Sequence, residues 1–210
     1  AKHDLAFRLR RKVFDLFMRE FKPTAESRVA DFGVSTNRNH PVHYYFEELY
    51  PHKNRVTALG REGSFWYAEQ FPGMSYVDCD LRSIPFPDNH FDFGLCSEVV
   101  EHAGSREEQR RLVHEVCRTC RNVIFTTPNK SFPMEVHTFV PFFHWLPGPQ
   151  FRQMLGGLGM HYFASEEMLN PLDGQAFLSL FPRDRRNTLV KTPAKLPIKL
   201  MCVSKARNGA

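Results

Sequence analysis

Short β-prone runs recur along this chain with amphipathic segments between them, and that alternation limits the possible folds more than any other feature. Residues 27–33 (Ser-Arg-Val-Ala-Asp-Phe-Gly), 55–59, 75–78, 91–97 and 122–126 each carry a few apolar or β-branched side chains, the length of buried strands. The segments between them have helical spacing. Residues 4–21 place Leu5, Leu9, Val13, Phe14, Phe17 and Phe21 along one stripe, and residues 106–118 turn Leu112, Val113 and Val116 to one side. Residues 43–50, 62–70 and 173–180 also read as helices. Ser105 followed by Glu108 has the form of a capping box and marks a helix start. Strands that alternate with helices build an α/β sheet covered on both faces. Two further β-prone runs, 188–191 and 198–204, are separated by Pro193 and Pro197.

At 210 residues, 42% hydrophobic and 24% charged, the chain suits one domain with a well-covered core. The net charge of +5 is scattered rather than blocked, so a nucleic-acid surface is not expected. No apolar run approaches transmembrane length, and residues 1–22 form a leading helix rather than a signal peptide. Five cysteines, mostly in apolar contexts, read as reduced thiols of a cytoplasmic protein. Cys117 and Cys120 have metal-ligand spacing with His114 a turn earlier, but the pair closes an amphipathic helix and lacks further ligands, so no metal is expected.

Four segments carry chemistry. Residues 80–93 read Asp-Leu-Arg-Ser-Ile-Pro-Phe-Pro-Asp-Asn-His-Phe-Asp-Phe: a carboxylate closes one strand, a proline-flanked aromatic stiffens the return, and the next strand opens. Such a carboxylate can accept from a ring amino group while the next N–H serves a ring nitrogen. Residues 29–35 leave the first strand as Val-Ala-Asp-Phe-Gly-Val-Ser, and residues 95–102 end the fourth as Leu-Cys-Ser-Glu-Val-Val-Glu-His. Residues 126–129 (Thr-Thr-Pro-Asn) leave the fifth at the edge where open α/β sheets place ligands. Phe132-Pro133-Met134-Glu135-Val136-His137 follows, then residues 140–147 (Val-Pro-Phe-Phe-His-Trp-Leu-Pro). That run sets a carboxylate and an imidazole two apart among aromatics that exclude water, and residues 127–163 read as a lid or acceptor region.

Together these segments resemble class I S-adenosylmethionine-dependent methyltransferases of the type 11 kind. The nearest likeness is to small bacterial members whose loop after the fifth strand reads T-P-N-x-x-F-P-x-E-x-H and then H-W-L-P. The resemblance spans Arg28 to about Phe163 and implies a three-layer, Rossmann-like sheet of seven strands, mostly parallel with an antiparallel C-terminal strand. It implies S-adenosyl-L-methionine as cofactor. Asp31 would hold its amino group, Gly33 would let the backbone pass, and Ser97 would lie beneath its methionine part. Asp80 and the backbone of Leu81 would meet adenine. Ser35 and Asn37 stand where the family keeps two more glycines. Gly60 stands where it keeps the ribose acid; the first acid, Glu62, comes two residues later and is either a displaced ribose ligand or an ordinary helix opener.

Glu135 and His137 are the expected pair for deprotonating an acceptor hydroxyl, or else a contact that pins the loop; His102 is a second base or a structural histidine. His144 and Trp145 are expected to pack the cap. The implied activity is methyl transfer to oxygen of a small-molecule, glycan or lipid-linked acceptor, the last suited by the apolar stretch 142–163 with Lys130 and Arg152 nearby. The N-P-P-Y-type tetrad of enzymes that methylate base amines is absent, since residues 97–100 read Ser-Glu-Val-Val. The altered glycines and the shifted acid leave a second reading open, a catalytically degenerate partner or scaffold of the same fold.

Overall fold

The computed structural model describes residues 2–34, 44–61, 65–190 and 197–207. Helix α1 (Lys2–Phe21) leads into β1 (Val29–Phe32), followed by α2 (Tyr45–Leu49), β2 (Val56–Gly60), α3 (Phe65–Gln70), β3 (Ser75–Asp78) and β4 (Phe91–Ser97). Then come α4 (Arg106–Thr119), β5 (Cys120–Pro128), α5 (Gly148–Gly157), α6 (Gly174–Leu178), β6 (Arg186–Leu189) and β7 (Lys199–Lys205). They form a seven-stranded sheet in the order β3-β2-β1-β4-β5-β7-β6. β1 to β5 pair in parallel; β7 lies antiparallel between β5 and β6.

The strands are apolar on both faces because helices cover both, and alternate residues divide between two cores. Phe32, Cys96 and Phe125 pack with Leu112, Val113 and Val116 of α4 and with Phe177. Leu95 and Ile124, one residue out of step, pack with Val13, Phe14 and Phe17 of α1 and Phe46 of α2. The Phe17 and Phe46 rings meet edge to face with centroids 5.1 Å apart. A smaller cluster of Val140, Phe151, Leu155 and Leu169 lies under the loop after β5.

Ser105 caps α4 by accepting from the Glu108 N–H at 3.3 Å. The reciprocal half of the box is missing, because the Glu108 side chain turns to Arg82 instead. Several boundaries differ from the sequence reading by one or two residues, and two differences stand out. Helix α5 falls in the lid or acceptor region, where the sequence reading placed no helix: Pro149 suits its first turn, and Phe151 and Leu155, four apart, face inward. Strand β6 begins two residues earlier than expected because Arg186 and Asn187 pair with Lys205 and Ser204. Residues 62–64, where the sequence reading begins α3, lie outside the described residues.

Candidate active site

The C-terminal ends of β1, β4 and β5 open on a cavity of about 490 Å³. Asp31 and Gly33 line it from β1, Ser97 from β4, and His102 and His137 from the segments that follow β4 and β5. The β1 exit is fixed by its backbone. The N–H groups of Gly33 and Val34 both donate to the Leu59 carbonyl, at 2.7 and 3.1 Å. Gly33 has φ +87°, and a Cβ there would lie 2.3 Å from Val99 Cγ2, so only glycine fits. The same turn explains the missing ribose acid: a Cβ at Gly60 would sit 3.0 Å from the Val34 carbonyl oxygen.

Asp31 is buried, and among the described residues no hydrogen-bond donor meets its carboxylate. Burial, and then the nearby Glu47, hold its pKa well above the usual carboxylate range. Glu47 is fully buried; Oε1 accepts from Tyr67 at 2.9 Å, Oε2 has no partner, and burial raises the group to about 7. A carboxyl whose folded pKa is raised contributes its stability below the unfolded value near 4.5 and loses it as pH climbs through the folded value. Glu47→Gln should therefore melt with the wild type at pH 4.5 and above it at pH 8, by roughly 3–6 °C. Thermal scans across that range check the sign; a variant that melts lower at pH 8 would show that Glu47 is stabilising when ionised.

Ser97 Oγ lies 3.0 Å from Thr126 Oγ1 and 3.4 Å from the Tyr45 hydroxyl that donates to it. Glu98, with φ +58°, pairs with Arg10 of α1 at 3.3 Å and Lys199 of β7 at 2.8 Å. Burial opposes its charge, but Lys199 and Arg10 prevail and hold its pKa down at about 2. Sequence reading missed this residue, whose partners come from segments far apart in the chain.

Other expected site residues lie elsewhere. Gly60, Asp80 and Leu81 do not line this cavity. The Asp80 carboxylate is already held by Arg82, through the backbone N–H at 2.9 Å and the guanidinium at 2.7 Å, and by Arg61. The Arg82 hydrogen bond, first among these contacts, keeps it well below the usual range. Leu81 buries its side chain in the core with Ile84 and Phe91. Ser35 and Glu62 lie outside the described residues.

The loop after β5 brings the imidazoles together. Glu135 is buried and off the cavity; its carboxylate accepts from Thr138 N at 2.6 Å, Thr138 Oγ1 at 2.7 Å and His137 Nδ1 at 2.8 Å. Burial works against its charge, but these donors hold its pKa near 2. His137 feels the converse: burial disfavours the imidazolium, and Glu135 more than offsets it, raising the pKa. The His137 and His102 rings meet edge to face at 4.8 Å. His102 Nδ1 lies 2.6 Å from the Met168 carbonyl oxygen. Beside them Glu101 is 1% exposed; Oε2 accepts from Thr127 at 2.9 Å, while Oε1 has no hydrogen-bond partner. His144 packs the cap as expected, its ring bonded to the Phe132 carbonyl at 2.8 Å, whereas Trp145 stays half exposed and is tied down through its indole N–H to the Lys130 carbonyl at 2.8 Å.

At the β1 end the cavity suits an aminoacyl group carrying a positive charge: a cradle that excludes a Cβ, and a carboxylate in need of a cation. Towards adenosine the arrangement departs from the expected one, with glycine for the ribose acid and two arginines on Asp80.

Residues 48–123 match a methyltransferase domain family. No curated protein matches the chain. Solved structures are similar in fold. The PH0226 protein of Pyrococcus horikoshii OT3 shares 13% identity over 96% of this chain and 91% of its own, with a TM-score of 0.60. The YcgJ protein of Bacillus subtilis shares 14% over 92% and 98%, with a TM-score of 0.57. The N-methyltransferase NodS from Bradyrhizobium japonicum WM9, solved with S-adenosyl-L-homocysteine, shares 10% over 94% and 86%, with a TM-score of 0.55. At these identities the likeness speaks for the fold.

Proposed function

Starting from the chain as a class I S-adenosylmethionine-dependent methyltransferase, in its matched domain and its fold, we propose that it methylates an oxygen of a small-molecule, glycan or lipid-linked acceptor. The observation that carries this reading is one cavity joining Asp31 and Gly33 to the imidazoles of His102 and His137. Bound S-adenosylmethionine supplies an electrophilic sulfonium methyl. Asp31 would hold its amino group, Gly33 would let it lie against the β1 turn, and Ser97 would lie beneath the methionine part. Asp80 and the Leu81 backbone would reach adenine only after the arginines on Asp80 let go, and Gly60 supplies no ribose contact beyond its backbone.

His137 is the base we assign. Glu135 is ionised and can only accept, so His137 Nδ1 carries the proton between them, and in the neutral ring, favoured as pH rises above its raised pKa, Nε2 presents a lone pair. Nε2 takes the hydroxyl proton as the oxygen–methyl bond forms and the methyl–sulfur bond breaks, leaving a neutral thioether. Glu135 acts through His137 as a positioning residue. Alignment and exclusion of water do the remainder, as expected for an in-line displacement. Exposed Phe142, Phe143 and Trp145 on the lid favour a lipid-linked acceptor over a freely soluble one. All five cysteines are free, in keeping with a cytoplasmic setting. No helix among the described residues is long and apolar enough to cross a membrane.

Calorimetric titration with S-adenosylmethionine and S-adenosylhomocysteine, followed by an acceptor screen with labelled methyl, tests the reading. We expect micromolar binding, and turnover that falls about 100-fold or more in His137→Asn while cofactor affinity holds within about twofold. A folded protein that binds neither compound would make the degenerate partner or scaffold the better reading.

A further inference from the structure

We propose that Glu101, His102 and His137 form a binding site for a first-row divalent cation in the wall of the cavity. One donor atom from each lies within 4.8 Å of those of the other two, and Glu101 Oε1 is 4.0 Å from His102 Nε2. A bound cation would draw all three in to the roughly 2.0–2.2 Å that imidazole and carboxylate ligands adopt.

The hydrogen bonds behind these groups settle what each presents. The Met168 carbonyl can only accept, so His102 Nδ1 must donate to it and Nε2 is left as the ligating atom. Ionised Glu135 likewise fixes His137 with its proton on Nδ1. An outward ring nitrogen locked by a carbonyl or carboxylate behind it is the usual arrangement of metal-bound histidine. The third member supplies an independent observation. Glu101 is 1% exposed, Thr127 occupies Oε2, and Oε1 points at the imidazoles without a hydrogen-bond partner. In their neutral forms the two imidazoles thus bring lone pairs toward a buried carboxylate oxygen, and a cation that displaces their protons satisfies all three together. Glu98 does not compete as a ligand, since Arg10 and Lys199 take its two oxygens.

Two nitrogens and one carboxylate suit manganese, iron, cobalt, nickel or zinc better than magnesium or calcium. Three protein ligands leave positions open, and His102 and His137 face the cavity, so an acceptor hydroxyl can take one. This step rests on the methyltransferase reading. The cation lowers the hydroxyl's pKa, the proton leaves to water, and the oxygen then attacks the methyl as its bond to sulfur breaks. In the loaded site His137 is a ligand, and the cation does the work assigned above to its lone pair.

The test uses untagged, chelator-treated full-length protein titrated with Co²⁺, followed by calorimetry and visible absorption, with S-adenosylhomocysteine titrated into the same sample. One Co²⁺ per chain at micromolar affinity is expected, weakened about 10- to 100-fold in Glu101→Gln, His102→Asn, His137→Asn and the positioning variant Glu135→Gln. Thermal unfolding monitors integrity, and the partly exposed His102 carries the test if Glu101→Gln fails to fold. Binding weaker than about 1 mM, or binding that all four variants leave intact, overturns the site. S-adenosylhomocysteine binding without Co²⁺ binding would sink the cation alone. Co²⁺ binding without S-adenosylhomocysteine binding would keep the site and remove the methyltransfer role.

Discussion

Replacing Gly33 by alanine is expected to destabilise the protein by about 2–4 kcal/mol and to abolish measurable S-adenosylmethionine binding. Two separate penalties combine. The backbone at φ +87° disfavours any L side chain, and the new Cβ would stand 2.3 Å from Val99 Cγ2. Val99 cannot swing away freely, because a β-branched side chain has few rotamers. The double variant Gly33→Ala, Val99→Ala separates them: it should regain the steric part of the loss and keep the conformational part. Denaturant unfolding of the three proteins checks this. A single variant as stable as the wild type would mean that the β1 exit does not take this turn.

Asp31→Asn should move stability and affinity in opposite directions. Without ligand, a buried carboxylate that has no described donor and lies close to Glu47 destabilises the fold, so the amide should raise stability by about 1–3 kcal/mol at neutral pH. With ligand, the same carboxylate is the proposed partner of the amino group, and its loss should weaken S-adenosylhomocysteine binding about 30-fold or more. Melting curves with and without ligand read both effects from one sample. Unchanged affinity would remove Asp31 from the site, and lower stability without ligand would mean that the carboxylate is satisfied in the free protein.

Much of the fold was legible because period-2 and helical patterns are local. Strands β3 and β4 have the expected limits, and the five parallel strands β1 to β5 coincide with the five short apolar runs. Helix α5 escaped because two prolines and three glycines between Pro147 and Gly157 mask its short apolar face. The site was legible in part. The pairing of Glu135 with His137 needed only a spacing of two. Glu98 was invisible, because its meaning depends on Arg10 and Lys199, which no local pattern joins to it. Asp80 shows the opposite failure. Its segment matched a ligand pattern, but Arg82 two residues on and Arg61 at the end of β2 now hold the carboxylate. Glu101 reads in sequence as the acid that closes the fourth-strand segment beside His102, with no role of its own; its burial, with one oxygen spoken for and the other not, is what the structure adds.

The Glu98 clasp also bears on how the protein comes into being. One wall of the cavity joins a residue of α1 to one 88 positions later, and a second joins that residue to β7, which must slide between β5 and β6. During synthesis, therefore, β1 to β5 can emerge and pair while the pocket still lacks a side. A nascent chain halted before residue 199 should carry most of the sheet and have no ligand affinity. Competence would then arrive in a single late event, when the strand made after β6 takes its place inside it.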